Sequence, residues 1–309
     1  MRGLLNFLYL FKRSQTTRYK PVILVTGCSS GIGLAIAELL ASQKNYRLVV
    51  TARETSLETL YAKFEENEDL WIRPLDVTDP ASRLILVGEI RQKWRGVDIL
   101  VNNAGISYRA VIEHMTVEDE LHQFHTNYFG PTALIRAVLP HMRETGRGKI
   151  INVSSVSGML AMPTMASYSA SKHALEGLSE ALWYEVKPLG INVTLVQPGF
   201  VNSKSFTRVH YTRKSDPTLS EELYSDYYEH MTPFIERLMG LSRTTPEQVA
   251  KKVLKVIQLQ DPPLWVPATP DANIFYYLRR FIPRNLLLPL LFALLPKARL
   301  WANRYTHRR

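Results

Sequence analysis

The sequence predicts an α/β protein built on a doubly wound, parallel seven-stranded sheet with helices on both faces, followed by an apolar and basic C-terminal extension. Three observations carry this. Short β-branched runs alternate with amphipathic helical stretches from Pro21 to about Trp265. The first run passes straight into a glycine-rich turn and a helix. The chain has 309 residues, 46% of them hydrophobic, which supplies one large core and leaves little room for two unrelated domains.

Seven runs read as strands: Val22 to Thr26, Arg47 to Thr51, Leu70 to Leu75, Ile99 to Asn102, Lys149 to Val153, Asn192 to Val196 and Leu264 to Val266. After the first strand, a helix from Ile32 to Ser42 sets Ile32, Ile36, Leu39 and Leu40 on one side, as a sheet-facing stripe requires. Thr245, Pro246 and Gln248 combine an N-cap, a proline at the first helical position and a capping-box glutamine, so a helix runs from there to about Gln260. The expected organisation is an N-terminal extension over 1–20, the sheet domain over 21–268 with a lid over about 204–243, and the C-terminal extension over 269–309.

The turn Gly27-Cys28-Ser29-Ser30-Gly31-Ile32-Gly33 lies where a nucleotide pyrophosphate would meet a helix N-terminus. Free backbone N–H groups and the helix dipole favour anionic oxygens there, which makes the fold Rossmann-like. Its spacing differs from the usual dinucleotide pattern, and a plain strand-helix turn is the structural alternative. Arg53, directly after the second strand, stands where such folds read the adenosine ribose, and its planar fork suits a 2′-phosphate. NADP(H) is therefore preferred, while Glu54 beside Arg53 keeps NAD(H) open. Asp76 and Val77 end the third strand, with Asp76 placed to accept from the adenine amino group. Asn103, Ala104 and Gly105 end the fourth strand with small residues that let backbone pass close to a cofactor.

Tyr168 and Lys172 are spaced i, i+4 and share one helix face. A phenol with an ordinary pKa of about 10 needs a nearby cation for proton exchange at neutral pH, and Lys172 supplies one. Ser155 ends the fifth strand at the carboxyl edge of the sheet, where open α/β folds bind ligands.

Taken together, the glycine turn, Asn102 to Gly105, Asn127, Ser155, Tyr168, Lys172 and Pro198-Gly199 resemble the short-chain dehydrogenase/reductase family, in particular its NADP-dependent hydroxysteroid and retinol dehydrogenase-like members. The resemblance runs from about Val22 to Val266. It implies that Ser155 polarises a substrate carbonyl and that Tyr168 gives or takes its proton. Lys172 would bind the nicotinamide ribose and lower the Tyr168 pKa, and Asn127 would hold a relaying water. Ser155, thirteen residues before Tyr168, fits the family spacing better than Ser154. Pro198, Gly199, Val201 and Ser203 match the loop that grips the nicotinamide amide, with Ser203 standing where the family often has threonine. Homodimers or homotetramers are implied as well. A cofactor-binding protein without catalysis, or an epimerase or dehydratase, are the competing uses of this scaffold.

Tyr211, Tyr224, Tyr227, Tyr228, Met231, Phe234 and Met239 follow the nicotinamide loop and read either as a substrate lid or as core packing. As a lid they imply a bulky, hydrophobic substrate such as a steroid, a retinoid or a lipid ketone. Lys plus Arg number 38 against 28 Asp plus Glu, and much of this excess lies after residue 275, in Arg279, Arg280, Arg284, Lys297, Arg299, Arg304, Arg308 and Arg309. Interleaved with apolar runs, these residues point to a membrane surface and away from nucleic acid; an apolar dimer contact or pocket cover is the alternative. Prolines and arginines interrupt the runs too often for a spanning helix. The apolar stretch within Met1 to Arg13 has no cleavage site after it and reads as a surface extension or weak anchor. The single cysteine, Cys28, excludes an intrachain disulfide and reads as a small filler, which favours a cytoplasmic location or the cytoplasmic face of a membrane. His114, His122 and His125 have no ligand pattern and read as solvated helix residues; no metal site is expected.

Overall fold

Val22, Ile23, Leu24 and Val25 are all buried, as a strand covered on both faces requires, and they form the centre of the sheet. The computed structural model describes residues 19–203, 209–216 and 224–301. Its strands are β1 Val22–Val25, β2 Arg47–Ala52, β3 Leu70–Pro74, β4 Ile99–Asn102, β5 Gly148–Val153, β6 Ile191–Gln197 and β7 Trp265–Pro267. All pair in parallel in the order β3-β2-β1-β4-β5-β6-β7. The chain winds outward from β1 to β3, then returns to lay β4 on the other side of β1. That reversal opens a crevice at the carboxyl ends of β1 and β4, the place where such sheets take ligands.

The helices are α1 Gly31–Ser42, α2 Leu57–Tyr61, α3 Pro80–Trp94, α4 Val117–Phe124, α5 Gly130–Thr145, α6 Ala166–Val186, α7 Ser225–Leu241, α8 Pro246–Gln258, α9 Pro270–Phe281 and α10 Arg284–Leu294. Ile36 and Leu40 of α1 and Val249 and Val253 of α8 pack on Ile23 and Val25 from one side of the sheet. Leu86 and Ile90 of α3, Leu134 and Val138 of α5 and Leu182 of α6 pack on Leu24 and Leu100 from the other. Each such side chain contributes about 1.5–3 kcal/mol when fully buried.

Strand limits shift by a residue or so from the sequence expectation. The capping box on α8 is formed, with Thr245 N–H donating to Gln248 Oε1 at 3.0 Å. On α1, Ile36 and Leu40 are buried with Gly33, Ala35 and Ala37, and Ile32 and Leu39 pack half-buried against the same core, as the stripe requires; Ile32 also lines the crevice. Small residues there let α1 lie close to α8. One expectation needs correcting: His114 is not solvated but buried, with Nδ1 2.9 Å from the Tyr228 hydroxyl of α7.

The C-terminal extension is tied into the sheet edge from its first residue. Thr269 caps α9 by accepting from Ala272 N–H at 3.3 Å, and Ala272 is buried against Val156 and Met159. Further on, α10 leaves Leu286, Leu288, Leu290, Phe292 and Leu294 exposed. Among the described residues, no helix is long and apolar enough to cross a membrane. The apolar stretch within Met1 to Arg13, together with Arg304, Arg308 and Arg309 and parts of the lid segment, lies outside the described residues.

Candidate functional site

The floor of the crevice is a contact between two strand ends. After β1, Thr26 Oγ1 accepts from the N–H groups of Asn103 and Ala104, each at 3.0 Å. Asn103 Nδ2 donates back to Thr26 O at 2.9 Å and Gly27 O at 3.1 Å. Gly27 adopts φ +71°, and a Cβ at Gly33 would lie 2.1 Å from Gly27 O and 2.3 Å from Asn103 Nδ2. These two glycines therefore answer to protein packing as well as to ligand approach. The packing leaves Ile32 and Gly33 at the open first turn of α1, since Leu34 N–H is the first to bond back, to Ser30 O at 3.3 Å.

From this floor a cavity of about 510 Å³ extends along the sheet edge. Gly27, Ser29, Ser30, Ile32 and Gly33 line it at the turn, Arg53, Asp76 and Val77 at the ends of β2 and β3, and Asn103, Ala104 and Gly105 beyond β4. Arg53 is exposed at the rim. Asp76 Oδ1 accepts from Thr78 N–H at 2.8 Å and Thr78 Oγ1 at 2.7 Å. Burial alone would raise the Asp76 pKa, but these hydrogen bonds and the charges of Arg53 and His122 hold it below its ordinary value.

Ser155, Tyr168, Lys172, Pro198 and Gly199 line the same cavity. Ser155 ends the β5 segment in extended backbone and its Oγ accepts from Ser157 N–H at 3.1 Å, which fixes the hydroxyl toward Tyr168 on α6. Burial pushes the Tyr168 phenol above its ordinary value, and the Ser155 hydrogen bond offsets only part of that. Burial and Ser155 set this shift between them. The Lys172 ammonium donates to Val153 O at 3.0 Å and stands 6.0 Å from the Tyr168 ring centre. Burial pulls Lys172 down to about 8, against the upward pull of Glu176 one turn further along α6.

Asn127 lies behind the cavity wall, in a π-helical turn over His125–Phe129 that joins α4 to α5. Its carboxamide accepts from Ile106 N–H at 2.9 Å and donates to Ile106 O at 2.9 Å and Ser171 Oγ at 3.0 Å. A Cβ at Gly105 would sit 3.2 Å from Asn127 Oδ1 and 3.6 Å from Lys172 Nζ, so the three groups converge. Val201 does not reach the cavity; it is fully buried in the core layer under α1 and α8. Gly31 and Ser203 line a neighbouring open depression of about 850 Å³ together with Arg243.

Several residues that shape the site carry no sequence signal. Glu176 accepts from Gln197 Nε2 at 3.0 and 2.9 Å and also meets Ser154 and Arg279; burial raises its pKa despite these partners. Arg279, from α9, donates to Gly158 O at 3.4 Å. The loop after β6 is held by the same helix: Gly199 N–H donates to Thr269 Oγ1 at 2.9 Å and Phe200 N–H to Asp271 Oδ2 at 2.8 Å. Met162, Met165, Phe200, Ile235 and Met239 give the cavity an apolar wall, the last two from α7. The aromatic segment thus lines the cavity on one side, while Tyr227 and Met231 of α7 pack with Trp301 and Ala298 of the tail. Cys28 is fully buried, its thiol donating to Val25 O at 3.3 Å and pushed up to about 12 by burial.

Among the described residues that line the cavity, Asp76 is the only carboxylate, against the cations Arg53, Arg109 and Lys172. That balance, next to an open helix N-terminus, fits the phosphates of a dinucleotide. The fold and this edge define a nucleotide-dependent oxidoreductase with a tyrosine at its reacting end. The chain belongs to the short-chain dehydrogenase family, whose model matches residues 21–214. It is 34% identical over 267 residues to the 3-ketodihydrosphingosine reductase of Bacteroides thetaiotaomicron, covering 86% of this chain and 94% of that protein. A crystal structure of a short-chain dehydrogenase from Streptomyces avermitilis superposes with a TM-score of 0.72 at 31% identity, over 94% of this chain and 98% of that one. The closed form of a serine dehydrogenase complexed with NADP+ gives a TM-score of 0.67 at 26% identity, over 81% and 95% of the two chains.

The buried ammonium makes a test of the electrostatics. Folded Lys172 holds its proton less tightly than an unfolded lysine, so the unfolded chain binds more protons between pH 8 and 10.5 and stability rises with pH across that window. Without cofactor, the melting temperature of the parent relative to Lys172→Met is expected to climb as pH is raised through this range. A difference that stays constant with pH contradicts the burial account.

Proposed function

We propose that this protein is an NADP(H)-dependent dehydrogenase/reductase that interconverts a hydrophobic alcohol and its ketone, of steroid, retinoid or lipid type. The observation that carries the reading is the Ser155 and Tyr168 hydroxyl pair at one part of a cavity that also reaches Arg53 and has an apolar wall. A relative named as a keto reductase and a similar structure with NADP+ support it.

When bound, NADPH supplies a hydride to the carbonyl carbon, and NADP+ takes one in the reverse direction. Ser155 donates a hydrogen bond to the carbonyl oxygen, where negative charge develops. Tyr168 gives its hydroxyl proton to that oxygen in reduction and takes it back in oxidation. Lys172 would hold the ribose hydroxyls of the bound cofactor, and its ammonium, 6.0 Å from the Tyr168 ring centre, would favour the phenolate. Asn127 steadies the Gly105 and Ile106 backbone beside Lys172, where a water relaying protons to Tyr168 would sit. Ser29, Ser30, Ile32 and Gly33 would hold the pyrophosphate, Arg53 the 2′-phosphate and Asp76 the adenine amino group. Pro198, Gly199 and Ser203 belong to the loop that would hold the nicotinamide amide, with Val201 anchoring it from the core.

The exposed leucines and phenylalanines of α9 and α10, flanked by exposed Arg280, Arg284, Lys297 and Arg299, support peripheral contact with the cytoplasmic face of an anionic membrane. Membership of the family supports a homodimer or homotetramer, which sedimentation measures.

Purified protein is expected to oxidise NADPH with apolar ketones, and Tyr168→Phe to lower kcat by about 10²–10⁴-fold. Turnover of no member of a steroid, retinoid and aliphatic ketone panel, with Tyr168→Phe equal to the parent, refutes the reading. Arg53→Ala is expected to cut the preference for NADPH over NADH about tenfold or more, measured as the ratio of kcat/KM values. For the tail, flotation with phosphatidylserine vesicles is expected for the parent and lost in Leu290→Glu/Leu294→Glu. Equal flotation of the two counts against membrane contact.

A further inference from the structure

Arg109 lines the cavity and has no side-chain partner among the described residues. The segment from Ser107 to Ala110 is fixed on both sides: Arg109 N–H donates to His210 O at 2.9 Å, His210 N–H to Ser107 O at 2.9 Å and Ala110 N–H to Thr164 O at 2.8 Å. Tyr108 packs with His122 and His210, its hydroxyl 3.1 Å from His122 Nδ1, and Arg109 next to it lines the cavity together with those two histidines. Arg109 is 4% exposed, and its Nε is buried without a hydrogen-bond partner. It makes no ion pair among the described residues. A guanidinium stays charged at any working pH, and burying it without an anion is costly.

The other charges of the cavity are accounted for. Lys172 is held by Val153 O and feels Glu176. Asp76 is engaged by Thr78. Arg53 is at the rim of the end assigned to the 2′-phosphate. Arg109 belongs instead to the strip that pairs with residues 164–165 and 209–210, and Met165 and Val209 from those segments line the cavity with it. Met162, Met165, Phe200, Ile235 and Met239 give the same cavity an apolar wall.

We propose that the substrate is an amphiphile: an apolar carbonyl compound whose anionic head group, a carboxylate or a phosphate monoester, pairs with the Arg109 guanidinium in this cavity. The proposal rests on the reductase reading above and sharpens its substrate class. A planar fork that meets two oxygens at once suits both anions and gives direction as well as charge, so the head group would register the carbonyl against Ser155 and Tyr168.

The test compares kcat/KM with NADPH for a long-chain oxo-carboxylate and its methyl ester, and for a long-chain ketone phosphate and the matching neutral hydroxyketone. The parent is expected to favour the anion of at least one pair about tenfold or more, the better pair identifying the head group. In Arg109→Met that ratio is expected to fall to about one; Arg109→Lys, which keeps the charge and loses the fork, is expected to fall between and serves if Arg109→Met does not fold. A parent that reduces neutral ketones without favouring either anion overturns the proposal and leaves the reductase reading standing. An unchanged ratio in Arg109→Met, with the loss falling on NADPH affinity, overturns it too. If no carbonyl is turned over, the reductase reading has failed by itself. A saturable thermal shift of the NADP+-loaded parent with the oxo-carboxylate or ketone phosphate, absent with its neutral partner and lost in Arg109→Met, then still supports the anion site, and no shift overturns it.

Discussion

Everything at the carboxyl edge of the sheet depends on how closely the ends of β1 and β4 approach. Asn103 and Ala104 donate four hydrogen bonds across that gap to Thr26 and Gly27, and the space left at Gly33 is smaller than a methyl group. The approach sets where α1 starts relative to the Asn103 to Gly105 turn, and so where a phosphate can sit relative to Lys172. Strand order brings the two ends together, because β4 is laid beside β1 only after the chain has wound out to β3.

Helix α6 carries the electrostatic character of the reacting end. Tyr168, Lys172 and Glu176 follow one another at one-turn intervals on one face, so three titratable groups enter a buried region from a single rigid element. Burial moves each of them toward its neutral form: the phenol and the carboxyl upward, the ammonium downward. The neighbours resist this unequally. Glu176 is compensated by Gln197, Ser154 and Arg279, whereas Tyr168 has only Ser155. A ligand that brings hydroxyl groups and negative charge to Lys172 would therefore change the phenol's surroundings most.

The strands were legible because a sheet buried on both faces demands continuous β-branched runs, and α8 because its cap uses side chains adjacent in the chain. Ser155, Tyr168 and Lys172 were legible through their place at the end of β5 and on one face of α6. What stayed hidden depends on contacts between distant parts of the chain. Glu176 meets Gln197 and Arg279, and Asp271 meets Phe200, only once the fold exists. Arg109 reads in sequence as one more basic residue, and its burial comes from pairing with segments some fifty and a hundred positions away. His114 was misread for the same reason, since Tyr228 covers it from α7.

The pair of hydrogen bonds from Gly199 and Phe200 to Thr269 and Asp271 has a mechanical meaning. The turn after β6 and the start of α9 are joined by two short crosslinks over a very small area, with Asp271 packed directly against Gly199. Neither can shift by an ångström while the other stays in place without leaving backbone donors bare. Any tilt of the C-terminal helices, whether from a surface they rest on or from a neighbouring subunit, would be felt as a displacement of the cavity wall at Phe200. By reciprocity, a molecule that fixes that wall also narrows the angles at which the helices can leave the body of the protein.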